Sequence, residues 1–325
     1  MKLATLKNDC RDGRLVVVNR DLSRFAEAPA DLPTLQAALD DWSRARHSLA
    51  AVYRALQSGD IDGRAMAMEQ LGAPLPRAYQ WLDGSAYLNH VELVRKARGA
   101  QMPSTFLTDP LMYQGGSDIL LGCRDPIAAG SERHGIDLEA EICVVTDDVP
   151  AACPPQQAER RIQLIGMLND ISLRNLIPAE LAKGFGFVHG KPPTAFAPVL
   201  VTPDELGGAW KDAKIHLPLR TWINGQWLGH PDCATDMQFN FAELIAHAAK
   251  TRPLGAGTII GSGTVSNRDA SRGFCCLAEA RMIETIRHGK PRTGFLRFGD
   301  RVKIDMTDAR GNSLFGSIEQ TVVKR

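Results

Sequence analysis

In Ile136-Asp137-Leu138-Glu139-Ala140-Glu141-Ile142-Cys143-Val144-Val145, apolar and acidic residues alternate with a period of two. That period marks a β-strand, whose successive side chains leave opposite faces of a sheet. Glu139 and Glu141 then share one face, roughly 6.5–7 Å apart at Cα. Carboxylates that close repel unless a cation or a shared proton intervenes. Two further acids sit in apolar surroundings: Asp83 in Trp81-Leu82-Asp83-Gly84, and Asp170 in Met167-Leu168-Asn169-Asp170-Ile171. An all-oxygen set suits magnesium, calcium or manganese rather than zinc. The plainer reading makes Asp137, Glu139 and Glu141 a solvated strand face and Asp170 a turn or cap residue.

Elsewhere the signals are mostly short strands and loops. Lys2–Leu6 and Arg14–Asn19 read as strands of a hairpin around Asp9–Gly13. Leu35, Leu39, Trp42, Ala45, Leu49, Val52 and Leu56 recur at helical spacing, which predicts a helix from about Pro33 to Leu56 with Asp31 as a candidate cap. Gly59, Asp60 and Gly63 break it. Residues 1–75 are expected to form a small N-terminal domain and 76–325 a larger catalytic one, entered through Ala73-Pro74-Leu75-Pro76. Asn224-Gly225 is the strongest short hairpin signal. Strands are also expected at Thr258–Gly261, Val302–Met306 and Ser313–Val322, and helices at Pro155–Leu168 and Phe241–Lys250. Strands and helices do not alternate as βαβ units, which argues against a doubly wound parallel sheet and for an α+β, mostly β fold.

Thirty-eight basic residues balance thirty-seven acidic ones with no run of like charge, so nothing suggests nucleic acid or a membrane surface as partner. No apolar stretch approaches the ~20 residues of a membrane helix, and the N-terminus lacks a signal-peptide core. Seven scattered cysteines without a C-x-x-C read as reduced thiols of a cytoplasmic protein. Gly255-Ala256-Gly257 and Gly261-Ser262-Gly263 match neither a phosphate loop nor a serine-hydrolase elbow. Gly184-Phe185-Gly186-Phe187 reads as a flexible loop. Lys191 alone is a loop lysine, and His90 alone a core or surface histidine.

The motifs in order are Asp83-x6-His90, Glu139-Ala140-Glu141, Asn169-Asp170-Ile171-Ser172-Leu173-Arg174-Asn175, Gly190-Lys191 and Ser262-Gly263-Thr264-Val265-Ser266. This succession resembles the fumarylacetoacetate hydrolase family from about Pro74 to the C-terminus. The N-terminal region fits the small domain of its longer, fumarylacetoacetase-like members. The resemblance implies a rolled mixed β-sheet core in two layers, usually as a homodimer. It implies a magnesium or calcium ion, with manganese also compatible, on Asp83, Glu139, Glu141 and Asp170. His90 matches the general base and Glu279 its carboxylate partner. Lys191 and Arg174 match the cations beside the reacting carbonyl, and Tyr113 and Thr264 match substrate contacts. Two positions depart: Ser85 stands where a tyrosine is usual, and Ile177 where a glutamine is.

Such residues suit hydrolysis of a carbon–carbon bond in a β-diketo acid, such as fumarylacetoacetate or an acylpyruvate from tyrosine or other aromatic catabolism. Both the attack of water and the departure of an enolate build negative charge on oxygen, which a divalent ion and two cationic side chains offset. A histidine near its free pKa of ~6.5 accepts the proton of water at neutral pH. Oxaloacetate decarboxylation and hydration or isomerisation of a 2-oxo-alkenoate use the same metal and enolate. A metal-stabilised binding protein is the reading that involves no catalysis.

Overall fold

A computed structural model of the chain describes residues 1–97, 101 and 104–325. An eleven-stranded sheet is organised around the acidic strand, Ala140–Thr146, in which every residue is buried. Ile162–Asn169 lies antiparallel on one side of it and Ile259–Gly261 on the other. Ile259–Gly261 also pairs in parallel with Trp81–Gly84, with Gly261 opposite Asp83. Met112–Gly115 follows antiparallel, with Tyr113 opposite Asp83. Asn169 faces Ala140 across the central ladder, so Asp170, Glu141 and Asp83 emerge at one end of neighbouring strands.

On the far side, Leu200–Val201 joins Ile162–Asn169 to Lys2–Leu6, and Arg14–Val18, Arg24–Glu27 and Arg64–Ala65 continue the sheet. The first 75 residues therefore share a sheet with the rest. They share a core as well. Leu3 and Leu15 pack in one apolar cluster with Trp81, Val145 and Leu164, while Ala4 and Val16 join Ile142, Val144 and Ile165 in the other. The alternate residues of each buried strand fill opposite layers, which is why these strands are apolar on both faces.

A second, five-stranded sheet runs Gln226–Gly229, Arg220–Ile223, Arg301–Asp305, Ile318–Lys324, Ile127–Ala129, its last pair parallel. Asn224 (φ 53°) and Gly225 (φ 76°) form the two-residue turn expected of that dipeptide. Both sheets belong to the mixed, mostly β architecture that the sequence implies. Among the described residues no helix is long and apolar enough to cross a membrane. All seven cysteines are free, and all but Cys10 are buried.

Three expectations change. Pro155–Leu168 is not one helix: a helical turn at Pro155–Ala158 and a 3₁₀ turn at Glu159–Arg161 lead into the strand Ile162–Asn169. A strand covered on both faces has no alternation, so its apolar run reads like a buried helix. The predicted helix over 33–56 is two, Leu35–Leu39 and Trp42–Ser58, parted at Asp40 and Asp41. Thr34, not Asp31, caps the first by accepting the Ala37 N–H at 3.1 Å, whereas Asp31 pairs with Arg44. The last strand starts at Ile318 rather than Ser313.

Candidate active site and metal centre

Asp137, Glu139 and Glu141 are all buried, which removes the solvated-face reading. The three nevertheless do different work. Asp137 accepts the Leu277 and Ala278 N–H groups at the start of the helix Leu277–His288, and Arg174 Nε at 2.8 Å. A carboxylate there satisfies orphan donors and meets the positive end of the helix dipole. Glu139 is neutralised by cations: Arg174 Nη2 lies 2.7 Å from Oε1 and Lys191 Nζ 2.5 Å from Oε2. Burial opposes its charge, but the two cations prevail and hold its carboxyl well below the usual range.

Glu141 has no such partners. Both its oxygens are inaccessible and receive no hydrogen bond from a donor among the described residues. Burial, then Asp83 and Asp170, pushes its carboxyl well above the usual range. Asp83 is pushed up to about 8, chiefly by burial and then by Asp170. One carboxylate atom from each of Asp83, Glu141 and Asp170 lies within 4.8 Å of the others. Buried acids that raise one another's pKa require either a shared proton or a cation. The orphaned Glu141 oxygens in an all-oxygen set fit a hard divalent ion. Of the four carboxylates assigned to the metal, Glu139 is already paired with Arg174 and Lys191, and Asp170 with Lys191.

Glycine shapes this centre. A Cβ at Gly261 would stand 2.5 Å from Asp83 Oδ1 and 2.3 Å from the Trp81 ring. Gly263 (φ 74°) donates its N–H to Asp83 Oδ1 at 3.0 Å, and a Cβ there would meet the Gly84 carbonyl at 2.4 Å. Gly261-Ser262-Gly263, which binds no phosphate by its sequence pattern, seats Asp83. Asp170 accepts from Thr194 Oγ1 at 2.9 Å, and from Tyr113 Oη and Lys191 Nζ at 2.5 Å each. Lys191 also lies over the Tyr113 ring, 5.2 Å from its centroid. Its ammonium is disfavoured by burial but held charged by Asp170 and Glu139.

His90, on the helix Leu88–Ala97, meets Glu279, on the helix Leu277–His288; the two helices pack together. Nδ1 lies 2.6 Å from Glu279 Oε1, and Glu279 Oε2 accepts from Ser266 Oγ at 3.1 Å. Nε2 faces Glu139 at 3.5 Å. Burial opposes protonation, yet the hydrogen bonds to Glu139 and Glu279 outweigh it and raise His90 to about 9. The expected imidazole near its free pKa is thus an imidazolium at neutral pH in the metal-free chain, because two carboxylates face it.

A cleft of about 350 Å³ opens onto this group. Asp83, Ser85, His90, Tyr113, Glu139, Arg174, Ile177, Lys191 and Thr264 all line it, while Glu141, Asp170 and Glu279 stand behind them. Thr264 Oγ1 is buried without a partner, a donor and acceptor available to a ligand. A larger hollow of about 630 Å³ on the five-stranded sheet has no such convergence. Sequence reasoning missed Phe187, which packs edge-on to Tyr113 at 5.0 Å, and Thr194 and Ser172, which donate to Asp170 and Glu139. Only closeness along the chain to Lys191 and Asp170 signalled them.

The described geometry has a known counterpart. A family model described as fumarylacetoacetate hydrolase C-terminal matches residues 80–323, and one described as fumarylacetoacetase N-terminal domain 2 matches residues 1–77. The chain belongs to the fumarylacetoacetate hydrolase family. Oxaloacetate tautomerase YisK of Bacillus subtilis (strain 168) is 26% identical over 239 residues, covering 72% of this chain and 69% of that protein. The crystal structure of a putative HpcE protein from Mycobacterium smegmatis superposes with a TM-score of 0.68 at 20% identity, over 100% of this chain and 99% of that one. Maleylpyruvate hydrolase from Sphingobium sp. SYK-6, solved with manganese(II) and pyruvate, gives 0.65 at 18% identity, over 100% and 99%. At these identities the structural likeness establishes the fold.

Proposed function

We propose that the protein is a divalent-metal-dependent hydrolase of a carbon–carbon bond in a β-diketo acid, of the acylpyruvate or fumarylacetoacetate type. The observation that carries this reading is the orphaned Glu141 carboxyl beside Asp83 and Asp170, just behind the cleft that Asp83 and His90, backed by Glu279, line. Asp83, Glu141 and Asp170 would hold the ion with Glu139 beside it. Manganese, bound by the Sphingobium relative, is a natural choice along with magnesium and calcium. When bound, the ion supplies electrophilic polarisation of the substrate's carbonyl oxygens.

The chain's own residues supply the rest. His90 Nε2 faces the cleft side of the pair and takes a proton from water, whose oxygen adds to the ketone carbon. Glu279 fixes the ring and stabilises the imidazolium that forms. Lys191 and the free edge of Arg174 stabilise the oxyanion, and Thr264 Oγ1 supplies a further hydrogen bond. Collapse of the adduct breaks the carbon–carbon bond. The electron pair stays with the departing carbon, which receives its proton from His90. Glu139 and Glu279 beside it raise His90 to about 9, so in the metal-free chain His90 holds its proton at neutral pH.

Steady-state turnover of an acylpyruvate and fumarylacetoacetate panel tests this, with manganese, with chelator and with His90→Ala. Cleavage into two acids that needs both the metal and His90 is the expected result. Full activity without either would refute it. The similarity to an oxaloacetate tautomerase supports a second reading, enolisation of a 2-oxo acid without hydrolysis. An unshortened product would select it.

A further inference from the structure

The cleft lining combines charged and apolar side chains. The acids and their cations crowd the inner end. The rest of the lining is largely apolar, with Val94, Leu111, Met112, Ile177, Leu181 and Phe187, and it includes Arg95. A second chamber of about 330 Å³ adjoins it and shares Val94, Arg174 and Ile177 with the first. Beyond that shared wall it continues over Pro178, Met282 and Phe295. Ile177 thus borders both spaces, the second of which also carries Asn175, Arg281 and Thr285. It is buried at the first turn of the helix Ile177–Leu181, and Gly190 makes room for it: a Cβ there would stand 2.8 Å from Ile177 Cγ1.

The cations near the inner end are committed. Arg174 is held by Asp137 and Glu139, and Lys191 by Glu139 and Asp170. Arg95, the other cation of the described lining, gives Nη1 to the Gln101 carbonyl at 2.9 Å. A terminal carboxylate pushed against the six apolar side chains would lose its water, and the one cation of the described lining not paired with an acid is Arg95, half-buried and giving one N–H to the Gln101 carbonyl. An alkyl or aryl group there gains by leaving water.

We propose that the site selects 2-oxo acids whose far end is apolar, an aliphatic or aromatic acyl chain rather than a second carboxylate, and that Ile177 sets how long that chain is. The inference rests on the 2-oxo acid reading above for which end of the ligand enters first. Ile177 is a specificity residue in this scheme and touches only the tail.

Binding is measured separately from turnover, so that the two readings fail separately. Manganese-loaded protein is titrated calorimetrically with straight-chain 2-oxo acids of four to eight carbons, and with 2-oxoglutarate and 2-oxoadipate. Affinity is expected to rise about fourfold per added CH₂ until the first chamber is full. Ile177→Ala is expected to move the optimum to longer chains, and Ile177→Gln to flatten the series. If a variant fails to fold, the wild-type series decides alone. Affinity that does not rise with chain length, no binding of any member, or a tenfold preference for the dicarboxylates would overturn the proposal. Loss of such a preference in Arg95→Met would name the clamp responsible. The plain 2-oxo acids carry no scissile bond, so the matching 2,4-dioxo acids are assayed in parallel: chains that bind with the expected ranking while their 2,4-dioxo counterparts are not cleaved would refute the hydrolase and leave the specificity standing.

Discussion

Replacing Glu141 by methionine should make the metal-free protein more stable and the metal-saturated protein less so. The carboxyl is fully buried and receives no donor. A buried polar group left without a hydrogen bond costs about 1–3 kcal/mol, and methionine fills a similar volume without that cost. Removing it also relieves Asp83, whose carboxyl is raised by burial and by its acidic neighbours. At ~2.1 cal/mol/K per residue, the unfolding entropy of a chain this long is about 0.7 kcal/mol/K, so the gain is about 1.5–4 °C in Tm. Metal acts in the opposite sense: an ion at a hundred times its Kd stabilises by about 2.7 kcal/mol, some 4 °C, and only where its ligands remain. The assay is calorimetric melting of wild type and Glu141→Met in chelator and in saturating manganese. The order of the two melting temperatures should reverse between the conditions. A variant less stable than wild type in chelator, or one that keeps the full metal shift, would refute the reasoning.

Gly261→Ala should cost about 1–3 kcal/mol and weaken metal binding, since its Cβ collides with Asp83 Oδ1 and Trp81; unchanged manganese affinity by titration would contradict this. Glu279→Gln should lower kcat by about 10²–10⁴ and, by removing one of the groups that raise His90, move the acidic limb of the pH–rate profile to lower pH; an unmoved limb counts against the dyad. Lys2 is buried, donates to the Leu314 carbonyl at 2.6 Å, and is lowered by burial to about 8 from 10.5. Between those values the unfolded chain binds more protons than the folded one, so this group makes stability rise with pH across that window and carries its full cost below it. That cost is about 3 kcal/mol, less about 1 for the lost hydrogen bond, so Lys2→Met should stabilise by about 2 kcal/mol at pH 7 and destabilise by about 1 kcal/mol above pH 10.5, read from denaturant unfolding at both pH values.

Much of this site was legible before any coordinates. Local patterns that carry their own geometry were sound at the Asn224-Gly225 turn and the Gly59 helix stop, and in part at the acidic run, which is strand at Ile136–Asp137 and again at Ala140–Thr146 but breaks at Leu138 and Glu139. The resemblance placed Glu279 beside His90 across nearly two hundred residues, and the two stand 2.6 Å apart. Where the signal was not local it failed. Ile162–Asn169 lost its strand pattern because both faces are covered, and nothing local to Gly261 signalled that it makes room for Asp83, because that carboxylate belongs to a strand far upstream.

The sequence by itself determined which acids the protein owns and that Glu139 and Glu141 stand two positions apart at the entry to a strand. Only the tertiary structure decided what those acids are. Glu139 and Glu141 are the same residue type, two positions apart, equally buried. Arg174 and Lys191, brought in by other segments, keep Glu139 ionised, while Asp83 and Asp170 surround Glu141 with like charge and raise it. In a buried site the charge of a carboxyl is set by what stands within a few ångströms of it, and that neighbourhood is assembled from parts of the chain that no local pattern connects.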